Sequence, residues 1–80
     1  MLVAWVTEEG EVYHAERVLT AQGNAVVLHM QVESLGESGW DWHVWDQSGR
    51  GRQRYGLADT LAEAKARAEG ALGTLARELG

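Results

Sequence analysis

The stretch AVVLHMQVE, residues 25–33, alternates without a break. Val26, Leu28, Met30 and Val32 fall on one side, Val27, His29, Gln31 and Glu33 on the other. Successive side chains of an extended chain point to opposite faces, so a period of two predicts a half-buried strand. The same rule applied to WDWHVWD, residues 40–46, puts Trp40, Trp42 and Val44 inside and Asp41, His43 and Trp45 outside. Two tryptophans thus supply core volume to a chain without phenylalanine, and a third is left on the outer side.

Working outward, residues 2–7 and 12–20 read as a hairpin around Glu9-Gly10, with Leu2, Ala4 and Val6 as the inner set. Gly23-Asn24 predicts a second tight turn, because both residue types tolerate positive φ. SLGESG, residues 34–39, is a third loop, and SGRG, residues 48–51, a fourth. The latter leads into a short strand over residues 52–57 with Gln53, Tyr55 and Leu57 inside. From Thr60 the period changes: Leu61, Ala64, Ala68, Leu72, Leu75 and Leu79 recur at three and four, the spacing of one helix face. TLAE, residues 60–63, has the form of a capping box, and Glu63 with Arg67 makes a favourably oriented i,i+4 pair. Gly70 and Gly73 lower helix propensity, which predicts bent or frayed last turns or a close approach to Trp40 or Trp42.

These elements define an α+β fold and one domain over residues 1–80: five antiparallel strands in a meander, then one C-terminal helix packed on one sheet face. The other face is left uncovered. Its expected occupants include Val27, His29, Gln31, Asp41, His43, Trp45, Arg52 and Arg54, a mixture too apolar at its centre for ordinary solvated surface.

Composition limits what such a domain can do. A chain of 80 residues buries only about 60% of the surface its unfolded form exposes, which argues against a deep, water-excluding active site. Cysteine is absent, so neither disulfides nor a thiolate zinc site can reinforce the core. The opening MLVAWVTEEG lacks the basic and long apolar regions of a signal peptide, and no segment reaches the ~20 apolar residues of a membrane span, so a soluble cytoplasmic protein is expected. The net charge of −5 is uneven: residues 1–46 hold eight acids and Arg17 alone, residues 47–80 six bases and four acids. Such a field steers encounters with charged partners, and its sign favours a basic one.

Catalytic and metal signatures are missing. His29 and His43 can begin a metal site as cross-strand neighbours, with Asp41 on the same face, but no third ligand stands at a recognisable spacing, so no metal or cofactor is expected. Ser34, Ser38 and Ser48 sit in glycine-rich turns, where serine bonds the local backbone, and none lies in a G-x-S-x-G elbow. Asp41 and Asp46 fall on opposite faces and cannot act as a paired acid and base. GRG lacks the lysine and strand-to-helix context of a phosphate loop. The chain reads as a binding protein rather than an enzyme.

Two candidate surfaces follow. Arg50, Arg52 and Arg54 recur at every second position, so on a strand they share a face and, with Trp45 and His43, form an aromatic and basic platform for DNA or RNA. Three arginines are a small footprint for a nucleic-acid module, and the same side chains can instead neutralise Asp41 and stack on Trp45. Glu8, Glu9 and Glu11 crowd one hairpin end. With Glu33, Asp41 and Trp45 they make a partner-binding set suited to a basic protein groove, where carboxylates compete with phosphate.

Residues 40–72, WDWHVWDQSGRGRQRYGLADTLAEAKARAEGAL, resemble the last two strands and helix of the arm-type DNA-binding domains of phage integrases. That resemblance implies an uncovered sheet face used on DNA. By type rather than by motif, a small acidic cysteine-free sheet-and-helix domain is similar to phage-encoded anti-CRISPR proteins, especially inhibitors of type I surveillance complexes. That likeness implies a stoichiometric inhibitor that binds a bacterial nucleic-acid-handling complex and blocks DNA recognition. The expected function is this inhibitor, with direct DNA or RNA binding as the alternative and self-association as a homodimer through the open face as a third course.

Overall fold

The computed structural model describes residues 5–8, 11–21, 23–47 and 53–79. Five antiparallel strands form one sheet in chain order: β1 (Val6–Glu8), β2 (Val12–Ala21), β3 (Asn24–Ser34), β4 (Trp40–Asp46) and β5 (Gln53–Ala58). A single helix, α1 (Leu61–Leu79), follows and lies over β3, β4 and β5. The expected α+β meander with one covering helix is the fold. Among the described residues, no helix is long and apolar enough to cross a membrane.

The turns follow from backbone chemistry. Ala21 pairs with Asn24, so the turn ends at Gly23, at φ 80°, and Asn24 already belongs to β3, one residue earlier than the expected Gly23-Asn24 turn. Between β3 and β4 the chain makes a short 3-10 turn, Gly36–Ser38, closed where the Leu35 N–H donates to the Gly39 carbonyl at 2.8 Å. Gly39 has φ 95°, and a Cβ there would stand 2.5 Å from the Ala58 carbonyl oxygen, so only glycine fits. Ser34 Oγ accepts from the Gly36 N–H at 3.2 Å, the local role expected of a turn serine. At the helix start Thr60 Oγ1 accepts from the Glu63 N–H at 3.1 Å, and Arg67 Nε donates to Glu63 Oε1 at 2.9 Å.

Leu28, Met30 and Val32 of β3 and Val44 of β4 are fully buried against Ala64, Ala68, Leu72 and Leu75 of α1, with Ala15 and Ala58 at the margins. The two small alanines let the helix axis approach the central strands, where large residues fill the gap. Complete burial of one such aliphatic side chain is worth about 1.5–3 kcal/mol, and the central two strands supply most of it.

The edge strands depart from expectation. Trp45 pairs with Gln53, His43 with Tyr55 and Asp41 with Leu57, so Gln53, Tyr55 and Leu57 lie on the open face and are exposed. Arg54, Gly56 and Ala58 face the helix instead. Gly56 explains the choice: a Cβ there would come within 2.9 Å of the Trp42 indole, so the inward position must be empty for that ring to lie flat across β5. In β1, Val6 pairs with His14 on the open face and is exposed, not inner; Leu2 and Ala4 lie outside the described residues. Trp5, one residue earlier, donates its indole N–H to Glu69 Oε2 of α1 at 2.8 Å and so ties this edge to the helix. Gly70 and Gly73 meet no tryptophan. Nothing lies near Gly70, only the Arg77 side chain near Gly73, and α1 continues through both to Leu79.

Candidate functional site

Antiparallel partners share a face, so the register lays out the open side of the sheet row by row. One row crosses all five strands as Val6, His14, Gln31, His43 and Tyr55. The next is Glu16, His29, Trp45 and Gln53, and toward the other end runs Glu8, Val12, Glu33, Asp41 and Leu57. The first two of these rows together bring the imidazoles around Trp45: His14 and His43 from one, His29 from the row of Trp45 itself. His29 stacks on one side of the indole with ring centroids 5.2 Å apart, and His43 lies against it at 4.7 Å. His14 stacks on His29 at 5.3 Å, and Tyr55 meets His43 edge-on at 6.2 Å.

Hydrogen bonds fix the ring orientations. Gln47 Oε1 and Gln53 Oε1 can only accept, so His29 donates Nε2–H to Gln47 at 2.8 Å and His43 donates Nε2–H to Gln53 at 2.9 Å. His14 Nε2 and His29 Nδ1 are 3.2 Å apart, and Glu16 Oε2 lies 3.7 Å from the same His29 nitrogen. His29 and His43 are cross-strand neighbours on the diagonal of β3 and β4 rather than directly opposed. They flank Trp45, and the opposed partners of His43 are Gln31 and Tyr55. Among the described residues no group of three His, Cys, Asp or Glu side chains is arranged to hold a metal ion.

The acidic set divides. Glu33 and Asp41 are directly opposed across β3 and β4, half-buried, in the row that Glu8 enters from β1. Glu11 is exposed in the turn after β1, where its carbonyl accepts from the Ser34 N–H at 3.0 Å, so it stands at the same end of the sheet. Glu9 and the side chain of Glu8 lie outside the described residues. Asp46, opposite Leu28, is on the helix side and 7% exposed, so it and Asp41 do occupy opposite faces.

The arginine ladder fails at its one described member. Arg54 sits opposite buried Val44 and turns to the helix side, where Nη2 donates to both carboxylate oxygens of Glu78 at 2.8 and 2.6 Å. Its acid partner is therefore Glu78 and not Asp41, and among the described residues His29 and His43 flank Trp45. Arg50 and Arg52 lie outside the described residues.

Every described lysine and arginine avoids the open face. Arg17 is opposite Leu28 on the helix side, and Lys65, Arg67 and Arg77 are on α1. Lys65 Nζ rests 4.4 Å from the Tyr13 ring centroid, capping the covered side at its rim. The described exposed large hydrophobics show the opposite preference: apart from Leu35 in the turn after β3, Val6 (62%), Val18 (63%), Tyr55 (73%) and Leu57 (66%) belong to the open face by register. The site is therefore an acidic, aromatic and apolar sheet face free of described lysine and arginine side chains.

His14 and Glu16 are members that sequence reasoning missed. Arg17 interrupts the apolar alternation of β2 and hid which side faced out. Counting back from a tight turn before Asn24 would have paired them with Gln31 and His29. Comparison with protein-family models, with curated proteins and with solved structures gives no match to this chain.

Proposed function

We propose that this chain is a non-catalytic binding protein whose open sheet face docks on a basic protein surface. One observation carries the reading. The face that no helix covers combines Glu16, Glu33 and Asp41 with four exposed large hydrophobics, while the described lysines and arginines are all turned elsewhere. Exposed apolar area supplies affinity, and one-sign charge supplies steering and register toward a partner of the other sign. A second copy of the same face would set carboxylates against carboxylates, which disfavours the homodimer.

The specific form of this reading is a stoichiometric inhibitor. Carboxylates spaced along a strand pair can occupy sites where a bacterial complex, such as a type I CRISPR surveillance complex, holds nucleic-acid phosphates, and so block DNA recognition. With Arg54 turned to Glu78, direct binding of DNA or RNA by this face loses one of its three intended arginines.

A tagged pull-down from bacterial lysate, with nuclease added, tests the reading. Protein partners retained by the wild type and lost by a Glu33→Lys, Asp41→Lys variant are expected. Partners that vanish with nuclease would reject it in favour of nucleic-acid binding.

A further inference from the structure

Which backbone groups β5 turns away from the sheet follows from two observations. The Gln47 N–H donates to the Val27 carbonyl at 2.9 Å, so Gln47 directs its backbone at β3. Antiparallel strands reverse that direction at every residue, so Trp45, His43 and Asp41 bond to β3, while Val44, Trp42 and Trp40 bond to β5 through Arg54, Gly56 and Ala58. The Ala58 carbonyl agrees: its oxygen lies 2.5 Å from where a Cβ on Gly39 would stand, so it is aimed at the start of β4. Gln53, Tyr55 and Leu57 therefore direct N–H and C=O to the free edge. Gln53 bears this out, because its carbonyl accepts from Arg54 Nη1 at 2.8 Å. Unpaired edge groups are a template for another strand, which proteins blunt with proline, charge or a short edge. Tyr55 and Leu57 carry neither proline nor charge, and both are exposed. The opposite edge, β1, is only three residues long.

We propose that β5 receives an extended basic segment of the partner as a sixth, antiparallel strand, with arginine or lysine at the two alternate positions opposite Tyr55 and Leu57. This names the part of the partner that the open face takes, and it rests on the docking reading of that face. Tyr55 and Leu57 each exchange an N–H and a C=O bond with the added strand. The residues opposite them project over the open face. There the aliphatic stem of a basic side chain lies along Tyr55 or Leu57. Its head is aimed down the row of Leu57, where Asp41 and then Glu33 follow, and the Tyr55 ring adds a cation–π contact. No described lysine or arginine competes on that face. The intervening residue projects to the helix side opposite Gly56, which has no side chain to meet it. A second copy pairing through its own β5 would instead set two acidic faces side by side, each on a chain of net charge −5.

The test uses the wild-type full-length chain and a seven-residue peptide of alternating arginine and threonine, in three forms: unmodified, N-methylated at its arginine amides, and N-methylated at its threonine amides. All three have the same charge. In the added strand the arginine amides face β5 and the threonine amides face water, so only the first methylation blocks pairing. NMR titration should find the unmodified and threonine-methylated peptides binding alike and the arginine-methylated one on the order of tenfold more weakly, the scale of two lost backbone bonds. The bound peptide should slow hydrogen exchange at the Tyr55 and Leu57 amides and leave those of Arg54 and Gly56, already bonded to β4, unchanged. Equal binding of all three forms, with shifts at Asp41 and Trp45 but no protection at Tyr55 and Leu57, would overturn strand addition while docking on the face stands. No binding by any form would remove the docking reading and the added strand together. A dimer by light scattering whose Tyr55 and Leu57 amides are protected without peptide would overturn the proposal by giving the edge to a second copy.

Discussion

The two faces of one sheet are built from the same alternating strands and end in opposite states. On the helix side of β3 and β4, Leu28, Met30, Val32 and Val44 lose all contact with water, and Arg54 on that side is paired with Glu78 at its rim. On the other side, the intervening residues form a layer of three imidazoles, an indole and a phenol, edged by carboxylates. Stability resides in the first face, and the second is available for recognition. Sheets with one solvated face normally make it plainly polar; here it keeps Val6, Val18, Tyr55 and Leu57 exposed.

The contrast breaks first in the core. Met30→Ala should cost about 2–5 kcal/mol, because it empties a fully buried site between sheet and helix. Trp45→Ala, across the same sheet, should cost far less, and denaturant melts of the two variants measure the difference. If Trp45→Ala proved as costly, the open face would be part of the core.

Gly56→Ala sharpens the account of β5. An added Cβ within 2.9 Å of the Trp42 ring must displace the indole, an overpacking cost of about 1–3 kcal/mol. Trp42 fluorescence should shift in the folded state, and an unchanged spectrum with unchanged stability would contradict the stated reason for the inverted strand. The smallest effect is expected at Arg54 and Glu78. Their pair is partly exposed, so a double-mutant cycle should return about 0–1 kcal/mol. Octa-arginine binding by Arg54→Ala should match the wild type, since that side chain is on the other face.

How legible each part was in the sequence follows from how completely it is covered. β3 and β4 are central and packed under α1, so their apolar period is strict and was read correctly. The helix carried both its 3–4 spacing and a capping threonine that makes the expected bond. The edge strands could not be read by hydrophobicity, because the helix covers little of β5 beyond Ala58 and the space beneath Gly56 is taken by an indole from the neighbouring strand. Tyr55 and Leu57 therefore point outward there and Gly56 and Ala58 inward, the reverse of the usual rule. Trp45, Glu33 and Asp41 were legible as outer residues by alternation alone. The His14–His29 contact was not, because it joins residues 15 apart and depends on the register set by the turn at Gly23.

The most direct test of the two-face account is site-specific photo-crosslinking in bacterial cells. A photoreactive residue replaces either exposed Tyr55 on the open face or exposed Ala62 on α1, with nuclease treatment before analysis. The account predicts a discrete protein adduct from position 55 and none from position 62. An adduct from position 62 alone would contradict it and move recognition to the helix.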